Sequence, residues 1–496
     1  MHEVLRASRR WVGRDYLVQA DRRVTFEDFQ STVAVIASRL RDAGVGVGDR
    51  VGIFAANSPD WVCTFFAVLQ LGAIAVPYNG WWSEAEAAQA SQAAAPALVV
   101  ADSRRTEKLP TGARVIDIAE LTFGTADVAP TQAVGHDVIS DDRAPAIILF
   151  TAGTTGFPKG AVLSHRALAA NLQTLLVVSK KLPRQIPDDL EPSVTLVGLP
   201  LFHMGAIQLM LVPLMTGSKL VFLGGRFDPA EVLQLVESEG VTMFSGVPTM
   251  MERILRHPDI AKRDVSSLRT VVLGGSPVSQ DLLERIGAAL PNARRRVGQT
   301  YGLTECGGVV STGVGAEIEK HPGSSGRVAP VVEVRIADPD DGGSGELFVR
   351  SPAAMDGYWG LPDDPTIDAD GWVRTGDIAR IDDERFLYIT GRAKEIIIRG
   401  GENISPAAVE AALLRHPSVV EVAVVGLPDA DLGEIVGAVV TTAQDADVTE
   451  DELAEWAGDY VAHFAVPARW WMRAEPLPVS DAGKVLKREL VRQWPK

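Results

Sequence analysis

The feature that most constrains the fold is a regular alternation of helix-like and strand-like segments from residue 27 to about residue 300. Amphipathic stretches such as Glu27–Ala43 and Asp228–Glu239 have a helical period, and short runs rich in β-branched residues, such as Arg50–Ala55 and Arg269–Leu273, lie between them. Parallel strands need a crossover connection, usually a helix, so this pattern predicts an α/β fold with helix-covered, mostly parallel sheets. The periodicity leaves open whether there is one large sheet or two stacked halves.

The pattern changes after about residue 326. Short strands such as Val328–Ala337 and Arg385–Thr390 are separated by Gly, Pro and Asp, which predicts an antiparallel or barrel-like β section. A compact α+β set follows from Lys394 onward. A chain of 496 residues exceeds what one hydrophobic core normally supports. We therefore predict a large N-terminal domain at residues 1–392 and a small C-terminal domain at residues 393–496.

Charge and composition argue against several classes of protein. Lys and Arg number 48 against 64 Asp and Glu, and a net charge of −16 without a basic stripe is unsuited to nucleic-acid binding. The two cysteines, Cys63 and Cys306, fit no disulfide or metal framework, which indicates a reducing compartment. Trp61–Ser83 and Pro192–Ser218 are uncharged and long enough to span a bilayer, but Gly and Pro interrupt both. We expect a cytoplasmic protein with no signal peptide and no integral membrane association.

A loop rich in Gly and Thr joins the apolar strand Ala146–Phe150 to the apolar run Ala161–Leu163. Backbone N–H groups and hydroxyls in such a loop can surround phosphate oxygens, and a lysine adds positive charge. It is not a Walker loop, because Pro158 stands where a glycine should precede the lysine. The alternative is a hydrophilic hairpin turn. The predicted ATP-binding residues of this loop are Thr151, Gly153, Thr154, Thr155, Gly156 and Lys159.

This loop resembles the phosphate loop of the adenylate-forming superfamily, which includes acyl-CoA synthetases, adenylation domains of peptide synthetases and firefly luciferase. Further matching segments follow in the family's order over essentially the whole chain. One departure is Ala152, where the family usually has a second hydroxyl residue. The resemblance, which is greatest to bacterial acyl-CoA synthetases, implies that ATP and Mg²⁺ activate a carboxylic acid as an acyl-adenylate. It also implies transfer of the acyl group to coenzyme A and a mobile C-terminal domain.

The segment Gln299–Glu305 resembles the family's second signature. By that resemblance Tyr301 packs near adenine, Thr304 contacts the α-phosphate and Glu305 helps hold Mg²⁺, for which carboxylate oxygen is a natural ligand. The segment that resembles the lining of the adenine pocket comprises Gly274, Gly275 and Ser276. We expect Thr304 and Glu305 to take part in catalysis, and Glu305 to be the metal ligand.

Three later segments resemble the ribose site and the moving parts of the family. Asp377 matches the aspartate that binds the ribose hydroxyls, and Arg392 matches an arginine near the ribose and phosphate. Lys394 stands at the hinge between the two domains. Gly401 matches the glycine of the tunnel for the thiol acceptor, where a side chain would obstruct the pantetheine arm.

Lys484, in a Gly-Lys pair followed by an aliphatic residue, resembles the catalytic lysine of the family's C-terminal motif. That lysine reaches the substrate carboxylate and the α-phosphate, where a cation stabilises the transition state between two anions. Asp481 and Ala465 depart from the family's usual Thr and Lys. We expect the neighbouring Lys487 and Arg488 to be solvated.

The acid pocket is expected to include His203, Gly298 and Gln299. Amino-acid-activating relatives generally have an aspartate at the position of His203, but this chain has no acidic residue between Ser193 and Ser218. Because a buried ammonium without a partner is costly, an α-amino acid is excluded as substrate. The apolar or small residues of this region favour a fatty or aromatic monocarboxylic acid.

Two alternatives remain open. The acceptor could be an acyl-carrier protein instead of coenzyme A, or the chain could be a degenerate nucleotide-binding protein, against which the intact Glu305, Asp377 and Lys484 argue. Cys306 is interpreted as structural, because this chemistry needs no protein nucleophile. His165, which opens a helix, is interpreted as a packing or capping residue.

Overall fold

The structure is a computed structural model that describes residues 1–122, 141–151, 158–276, 278–392, 395, 397–399, 402–429, 432–443, 446, 448–461, 463–480 and 483–495. The helices are α1 (His2–Ala7), α2 (Phe26–Asp42), α3 (Pro59–Gln70), α4 (Glu84–Ala94), α5 (Ser103–Thr106), α6 (Ile118–Thr122), α7 (His165–Val178), α8 (Met204–Thr216), α9 (Pro229–Glu239), α10 (Pro248–Arg256), α11 (Gln280–Ala289), α12 (Ala316–Lys320), α13 (Pro406–Leu413), α14 (Glu450–Gly458) and α15 (Lys487–Arg492).

The strands are β1 (Asp15–Gln19), β2 (Arg22–Thr25), β3 (Arg50–Phe54), β4 (Ile74–Pro77), β5 (Leu98–Ala101), β6 (Val115–Asp117), β7 (Pro145–Thr151), β8 (Lys159–Ser164), β9 (Val194–Val197), β10 (Lys219–Phe222), β11 (Met243–Gly246), β12 (Thr270–Gly274), β13 (Val297–Leu303), β14 (Gly308–Val314), β15 (Arg327–Val328), β16 (Glu333–Ala337), β17 (Gly345–Arg350), β18 (Gly357–Tyr358), β19 (Val373–Ile381), β20 (Leu387–Arg392), β21 (Ile397–Arg399), β22 (Glu402–Ile404), β23 (Val419–Asp429), β24 (Gly433–Thr442) and β25 (Arg469–Arg473).

Two large sheets contain most of these strands. One has the order β15-β14-β13-β12-β11-β9-β10-β1-β2, and the other has the order β18-β8-β7-β4-β3-β5-β6. Their central strands are parallel, and antiparallel pairs occur toward the edges, as in β13 with β14 and β7 with β8. The prediction of helix-covered, mostly parallel sheets is confirmed, and in the described residues the alternating region forms two large sheets, not a single one.

The largest apolar core lies between these sheets. It combines strand residues such as Leu220 and Ile147 with residues of α2, α3, α7 and α8, including Phe29, Phe66 and Met210. The two long uncharged stretches form α3 with β4 and β9 with α8, so their apolar character reflects burial within an α/β core. Within the part of the chain that the structure describes, no helix combines the length and apolar character that crossing a membrane requires.

The C-terminal part contains two further sheets. Strands β16-β17-β19-β20 form a four-stranded antiparallel sheet, in agreement with the antiparallel alternative for this section. Strands β22-β21-β24-β23, with β25 added in parallel to β24, form the last sheet. This sheet packs with α13 and α14 around an apolar core of its own, made of residues such as Val424, Val440 and Leu453.

Candidate active site

Several parallel strands of the nine-stranded sheet end at one edge, and the predicted site residues follow them. His203 comes after β9, Gly274 ends β12, and Thr304 and Glu305 come directly after β13, and β11, which lies between β9 and β12, is followed by Val247 at the same edge. In open α/β sheets, ligands bind in the crevice outside the carboxyl ends of the strands. This edge is therefore the candidate active site.

The end of β12 is held very close to β13. Gly274 is the register partner of Thr300, and a Cβ atom on Gly274 would lie 2.6 Å from Thr300 Cγ2 and 2.8 Å from its carbonyl oxygen. Any larger residue at this position would push the two strands apart. The chain then turns through Gly275, whose φ of +79° favours glycine, to the partly buried Ser276. The three residues predicted for the adenine pocket thus form a tight turn at the edge of the sheet.

Asp377 lies at the centre of a hydrogen-bond network that connects two sheets. It is 2% exposed, Tyr301 on β13 donates its hydroxyl to Oδ2 at 2.5 Å, and the Arg392 Nε atom lies 2.8 Å from Oδ1. Burial raises the pKa of Asp377, and Arg392 and Tyr301 oppose that shift. Burial and the nearby Asp377 raise the pKa of the Tyr301 hydroxyl. Three residues that the sequence predicts to surround the nucleoside are therefore in direct contact.

Glu305 belongs to a second network, which reaches the phosphate loop. Tyr358 donates its hydroxyl to Glu305 Oε1 at 2.9 Å, and the Lys159 Nζ atom lies 5.0 Å from the centre of the Tyr358 ring. Lys159 also forms an ion pair with Asp364, with 2.6 Å between Nζ and Oδ2. Tyr358 and Asp364 were not among the predicted site residues, because their only local signal is a polar loop with two adjacent aromatic residues. Thr304, partly buried, immediately precedes Glu305.

The predicted phosphate loop connects two antiparallel strands. Thr151 at the end of β7 and Lys159 at the start of β8 are register partners, so the two strands form a hairpin, and phosphate binding by the loop between them stays a prediction. Some predicted residues lie outside the described residues. These are Gly153, Thr154, Thr155 and Gly156 of the loop, the hinge residue Lys394 and the tunnel residue Gly401.

The chain returns to this edge through a turn near its C-terminus. Val479 and Val485 form an isolated bridge that encloses Gly483 and Lys484. A Cβ atom on Gly483 would lie 2.9 Å from Val247 Cγ2, so the turn packs against the start of α10. This contact brings Lys484 to the carboxyl edge of the nine-stranded sheet.

Lys484 interacts electrostatically with the residues of both networks. Lys484 is exposed, yet the surrounding protein removes enough water to lower its pKa. The positive charge of Arg392 acts in the same direction, whereas the carboxylates of Asp377 and Glu305 oppose the shift. The structure therefore brings the predicted catalytic lysine together with the predicted ribose and metal ligands.

The expectation that Lys487 is solvated was wrong. Its Nζ atom lies 2.7 Å from Glu410 Oε1 and 3.5 Å from Glu395 Oε2, and only 24% of its side chain is exposed. Burial raises the pKa of Glu410, and Lys487 opposes this shift. Lys487 thus fixes the start of α15, three residues after Lys484.

His203 immediately precedes α8 and lies near Lys484. Its Nε2 atom is buried and makes no hydrogen bond with any described residue, and its ring centre lies 4.5 Å from that of Phe202. Burial, together with the positive charge of Lys484, lowers the His203 pKa to about 4. The imidazole is therefore neutral near pH 7 and has a free hydrogen-bonding position.

The other two residues predicted for the acid pocket differ from each other. The space that a Cβ atom on Gly298 would occupy is filled by β14, with Val314 Cγ1 at 2.5 Å and the Gly313 carbonyl oxygen at 2.9 Å. Gly298 therefore allows β13 to pair closely with β14. Gln299 is 7% exposed, and its backbone carbonyl oxygen accepts a hydrogen bond from the hydroxyl of Thr312.

The residues interpreted as structural are buried. Burial raises the pKa of the Cys306 thiol, which keeps it protonated and unreactive. His165 is 3% exposed, its ring nitrogens make no hydrogen bond with any described residue, and burial lowers its pKa to about 3. His165 is thus a neutral packing residue near pH 7.

Comparison with known protein families gives two matches. Residues 4–359 match the family described as AMP-binding enzyme, and residues 408–484 match the AMP-binding enzyme C-terminal domain. Curated relatives extend over nearly the whole chain. A feruloyl-CoA synthase from an Amycolatopsis species is 35% identical and covers 95% of this chain and 94% of its own. The long-chain-fatty-acid–CoA ligase FadD13 of Mycobacterium tuberculosis is 32% identical and covers 96% of this chain and 94% of its own.

Solved structures are similar over the same extent. ATP-bound MatB from Rhodopseudomonas palustris matches with a TM-score of 0.86 and 27% identity over 99% of both chains. The o-succinylbenzoate CoA synthetase MenE from Bacillus subtilis, in complex with its acyl-adenylate intermediate, matches with a TM-score of 0.82 and 27% identity, covering 98% of this chain and 97% of its own.

Proposed function

Since the chain belongs to the AMP-binding enzyme family, we propose that the edge described above is where it activates a monocarboxylic acid. The chain is an AMP-forming acid–thiol ligase that uses ATP, Mg²⁺ and coenzyme A. The acid and ATP give an acyl-adenylate and pyrophosphate, and the thiol of coenzyme A then takes the acyl group and releases AMP. The observation that carries the proposal is that Lys484, on a turn packed against Val247, is near enough to both Asp377 and Glu305 to interact with their charges.

In the first half-reaction, a carboxylate oxygen attacks the α-phosphorus of ATP. Two anions must approach, so a cation at the point of attack stabilises the transition state more than the ground state. Lys484 would supply this charge, and Thr304 would contact the α-phosphate. The negative charges of Asp377 and Glu305 raise the pKa of Lys484, and phosphate groups beside the lysine would raise it further. The lysine would therefore be charged when ATP is bound.

The nucleotide is proposed to be held by the two networks. Each carboxylate oxygen of Asp377 accepts one hydrogen bond from the protein and has a second acceptor position for a ribose hydroxyl. Arg392 would lie beside the ribose and phosphate. Gly274, Gly275 and Ser276 would line the adenine pocket, and the tight turn that they form leaves the base in contact with backbone. Thr151 and Lys159 would contact the phosphates, together with the four predicted loop residues that lie outside the described residues.

The metal ion would be held by Glu305. Its Oε1 atom accepts a hydrogen bond from Tyr358, which fixes the orientation of the carboxylate and leaves Oε2 for a cation. This single hard oxygen donor fits Mg²⁺, which keeps several waters and binds one or two carboxylates together with substrate phosphates. When bound, Mg²⁺ neutralises part of the charge of the triphosphate.

The acid is proposed to be an apolar-bodied monocarboxylic acid that enters beside His203, with Gln299 in its pocket. The neutral imidazole can form a hydrogen bond with the carboxylate through its unpaired Nε2 atom. The names of the relatives include feruloyl-CoA synthase and long-chain-fatty-acid–CoA ligase, which supports aromatic or fatty acids. Residues 193–218 carry a single ionisable group, His203, and apart from it and the carboxamide of Gln208 they are apolar or small.

The two half-reactions are proposed to use two domains, residues 1–392 and 393–496. The separate core of the C-terminal sheet supports this division. Lys394 would act as the hinge, and Gly401 would line the tunnel for coenzyme A. The free, buried Cys63 and Cys306 are compatible with a reducing compartment, so we expect the reaction in the cytoplasm.

The test is an assay of pyrophosphate release with a panel of carboxylic acids, first without and then with coenzyme A. In the Lys484→Ala variant, we expect release to fall by on the order of 100-fold, whereas thioester formation from pre-made acyl-adenylate persists. Lys320→Ala, on the exposed face of α12, is the matched control and should behave like the wild type. Equal loss of both half-reactions in Lys484→Ala would contradict the role of this lysine.

A further inference from the structure

Two carboxamide side chains next to the candidate site have buried oxygen atoms without partners. Asn171 on α7 is 1% exposed, and its Oδ1 atom makes no hydrogen bond with any described residue. The Oε1 atom of Gln208 on α8 is likewise buried and unpaired among the described residues. Burying an amide oxygen without a hydrogen bond costs free energy, so two such side chains close together indicate that a ligand supplies a missing partner.

Both amides converge on Gly308, the first residue of β14. A Cβ atom on Gly308 would lie 2.3 Å from Asn171 Nδ2 and 2.9 Å from Gln208 Oε1. Gly308 has a φ of +115° and is buried, so any other residue would be strained and would displace the amides. The three residues come from three different elements and form one polar cluster inside an otherwise apolar region.

The cluster lies farther along α8 than the carboxylate end of the site. His203 precedes α8 and faces Lys484, and Gln208 follows His203 by five residues, a rise of about 7.5 Å along the helix. Gly308 follows the metal ligand Glu305 by three residues. An acid whose carboxylate lies beside His203 and Lys484 would therefore extend its body toward the two amides.

The chemistry of the cluster specifies a neutral group that donates a hydrogen bond. Both unpaired atoms are acceptors, and α8 has no charged residue to balance an ion. We propose that Asn171 and Gln208 bind a hydroxyl on the body of the acid, and that the substrate class is a compact hydroxylated acid such as a phenolic one. A hydroxyl can donate its single hydrogen to one of these two oxygens, whereas an unsubstituted alkyl chain can donate to neither. This inference rests on the proposed function.

The test compares acids that differ only in the hydroxyl. Values of kcat/KM are measured for 3-phenylpropanoic acid and its 4-hydroxy and 4-methoxy derivatives, and for hexanoic and 6-hydroxyhexanoic acids. We expect the wild type to favour the 4-hydroxy acid over the unsubstituted acid by on the order of 10- to 100-fold, since a site built to bind a hydroxyl rejects the analogue without it. The methoxy acid, which cannot donate, should resemble the unsubstituted one.

Gln208→Met keeps the length of the side chain and removes the amide. We expect this variant to lose most of the preference through a higher KM for the hydroxylated acid, with the KM for ATP unchanged. The matched control is Gln280→Met on the exposed face of α11, which should keep the preference.

The outcomes separate the inference from the function on which it rests. Equal activation of hydroxylated and unsubstituted acids, or an unchanged preference in Gln208→Met, would overturn the inference while acid-dependent pyrophosphate release would still support the function. Absence of pyrophosphate release with every acid would overturn both. Should Gln208→Met not fold, the comparison of acids in the wild type decides alone.

Discussion

Replacing Asp377 with Asn tests the nucleotide site at its most buried charged residue. The substitution keeps the size of the side chain and removes its charge. Tyr301 can still donate to the remaining carbonyl oxygen, and Arg392, whose side chain is 49% exposed, stays solvated. The variant should therefore fold, and its defect should lie in the binding of ATP.

The expected magnitude follows from the hydrogen-bond capacity of the carboxylate. Two of its four acceptor positions are taken by Tyr301 and Arg392, which leaves two for the ribose hydroxyls. A hydrogen bond to a charged group contributes about 1.5–3 kcal/mol, and an asparagine presents an NH₂ group on one side. We therefore expect a loss of about 2–4 kcal/mol, which is roughly a 30- to 1,000-fold increase in the Kd for ATP.

The assay is a fluorescence titration with ATP, 2′-deoxy-ATP and 3′-deoxy-ATP. The wild type should bind each deoxynucleotide about 10-fold more weakly than ATP, because each lacks one hydroxyl. In Asp377→Asn this discrimination should largely disappear, since the partner of the hydroxyls has changed. Thermal unfolding of the variant checks that the fold is intact.

Asp382→Asn is the matched control. Asp382 also accepts a hydrogen bond from a tyrosine, Tyr388, but it lies five residues after Asp377, about 16 Å along the strand direction. It should bind all three nucleotides like the wild type. If Asp377→Asn discriminates between ATP and the deoxynucleotides as strongly as the wild type does, the ribose does not bind to Asp377.

Three further predictions concern other parts of the structure. Tyr358→Phe removes the hydroxyl that orients Glu305, so the Mg²⁺ concentration for half-maximal pyrophosphate release should rise about 10-fold. An unchanged Mg²⁺ concentration for half-maximal release would argue against Glu305 as the metal ligand. The folded-state pKa of His165, about 3, is below its unfolded value, so its contribution to stability is complete above pH 6.5 and is lost as pH falls toward 3. Denaturant unfolding from pH 7 to 4 should show a shallower decline in His165→Leu than in the wild type, by up to about 1.4 kcal/mol per pH unit. Lys487→Met leaves Glu410 without its counter-charge and should destabilise the C-terminal sheet by about 1–3 kcal/mol. The loss should be measurable as faster amide hydrogen exchange in α13. Unaltered exchange would mean that the ion pair is not stabilising.

Much of the local structure could be predicted from periodicity and from turn residues. The helix expected at Asp228–Glu239 begins one residue later. The strand expected at Arg50–Ala55 ends one residue earlier. These features depend on side chains within a few positions of one another, so a short window of sequence contains the necessary information.

The sequence could also identify the chemical character of most candidate site residues, because they occur in ordered motifs. It could not show their contacts. Tyr301 and Asp377 are 76 positions apart, and Lys159 and Asp364 are 205 apart. The prediction that Lys487 is solvated failed for the same reason, since Glu410 lies on α13, a helix distant from Lys487 in the sequence.

The sequence by itself determined the alternation of elements, the family and the residue types at the site. The tertiary structure decided the order of strands in two separate sheets, the contact of Tyr358 with Glu305, and the meeting of Asn171 and Gln208 at Gly308. Local patterns determine which face of a helix or strand is buried, but they contain no information about the element against which that face packs. Distant side chains are brought together only when the sheets assemble and their common core excludes water.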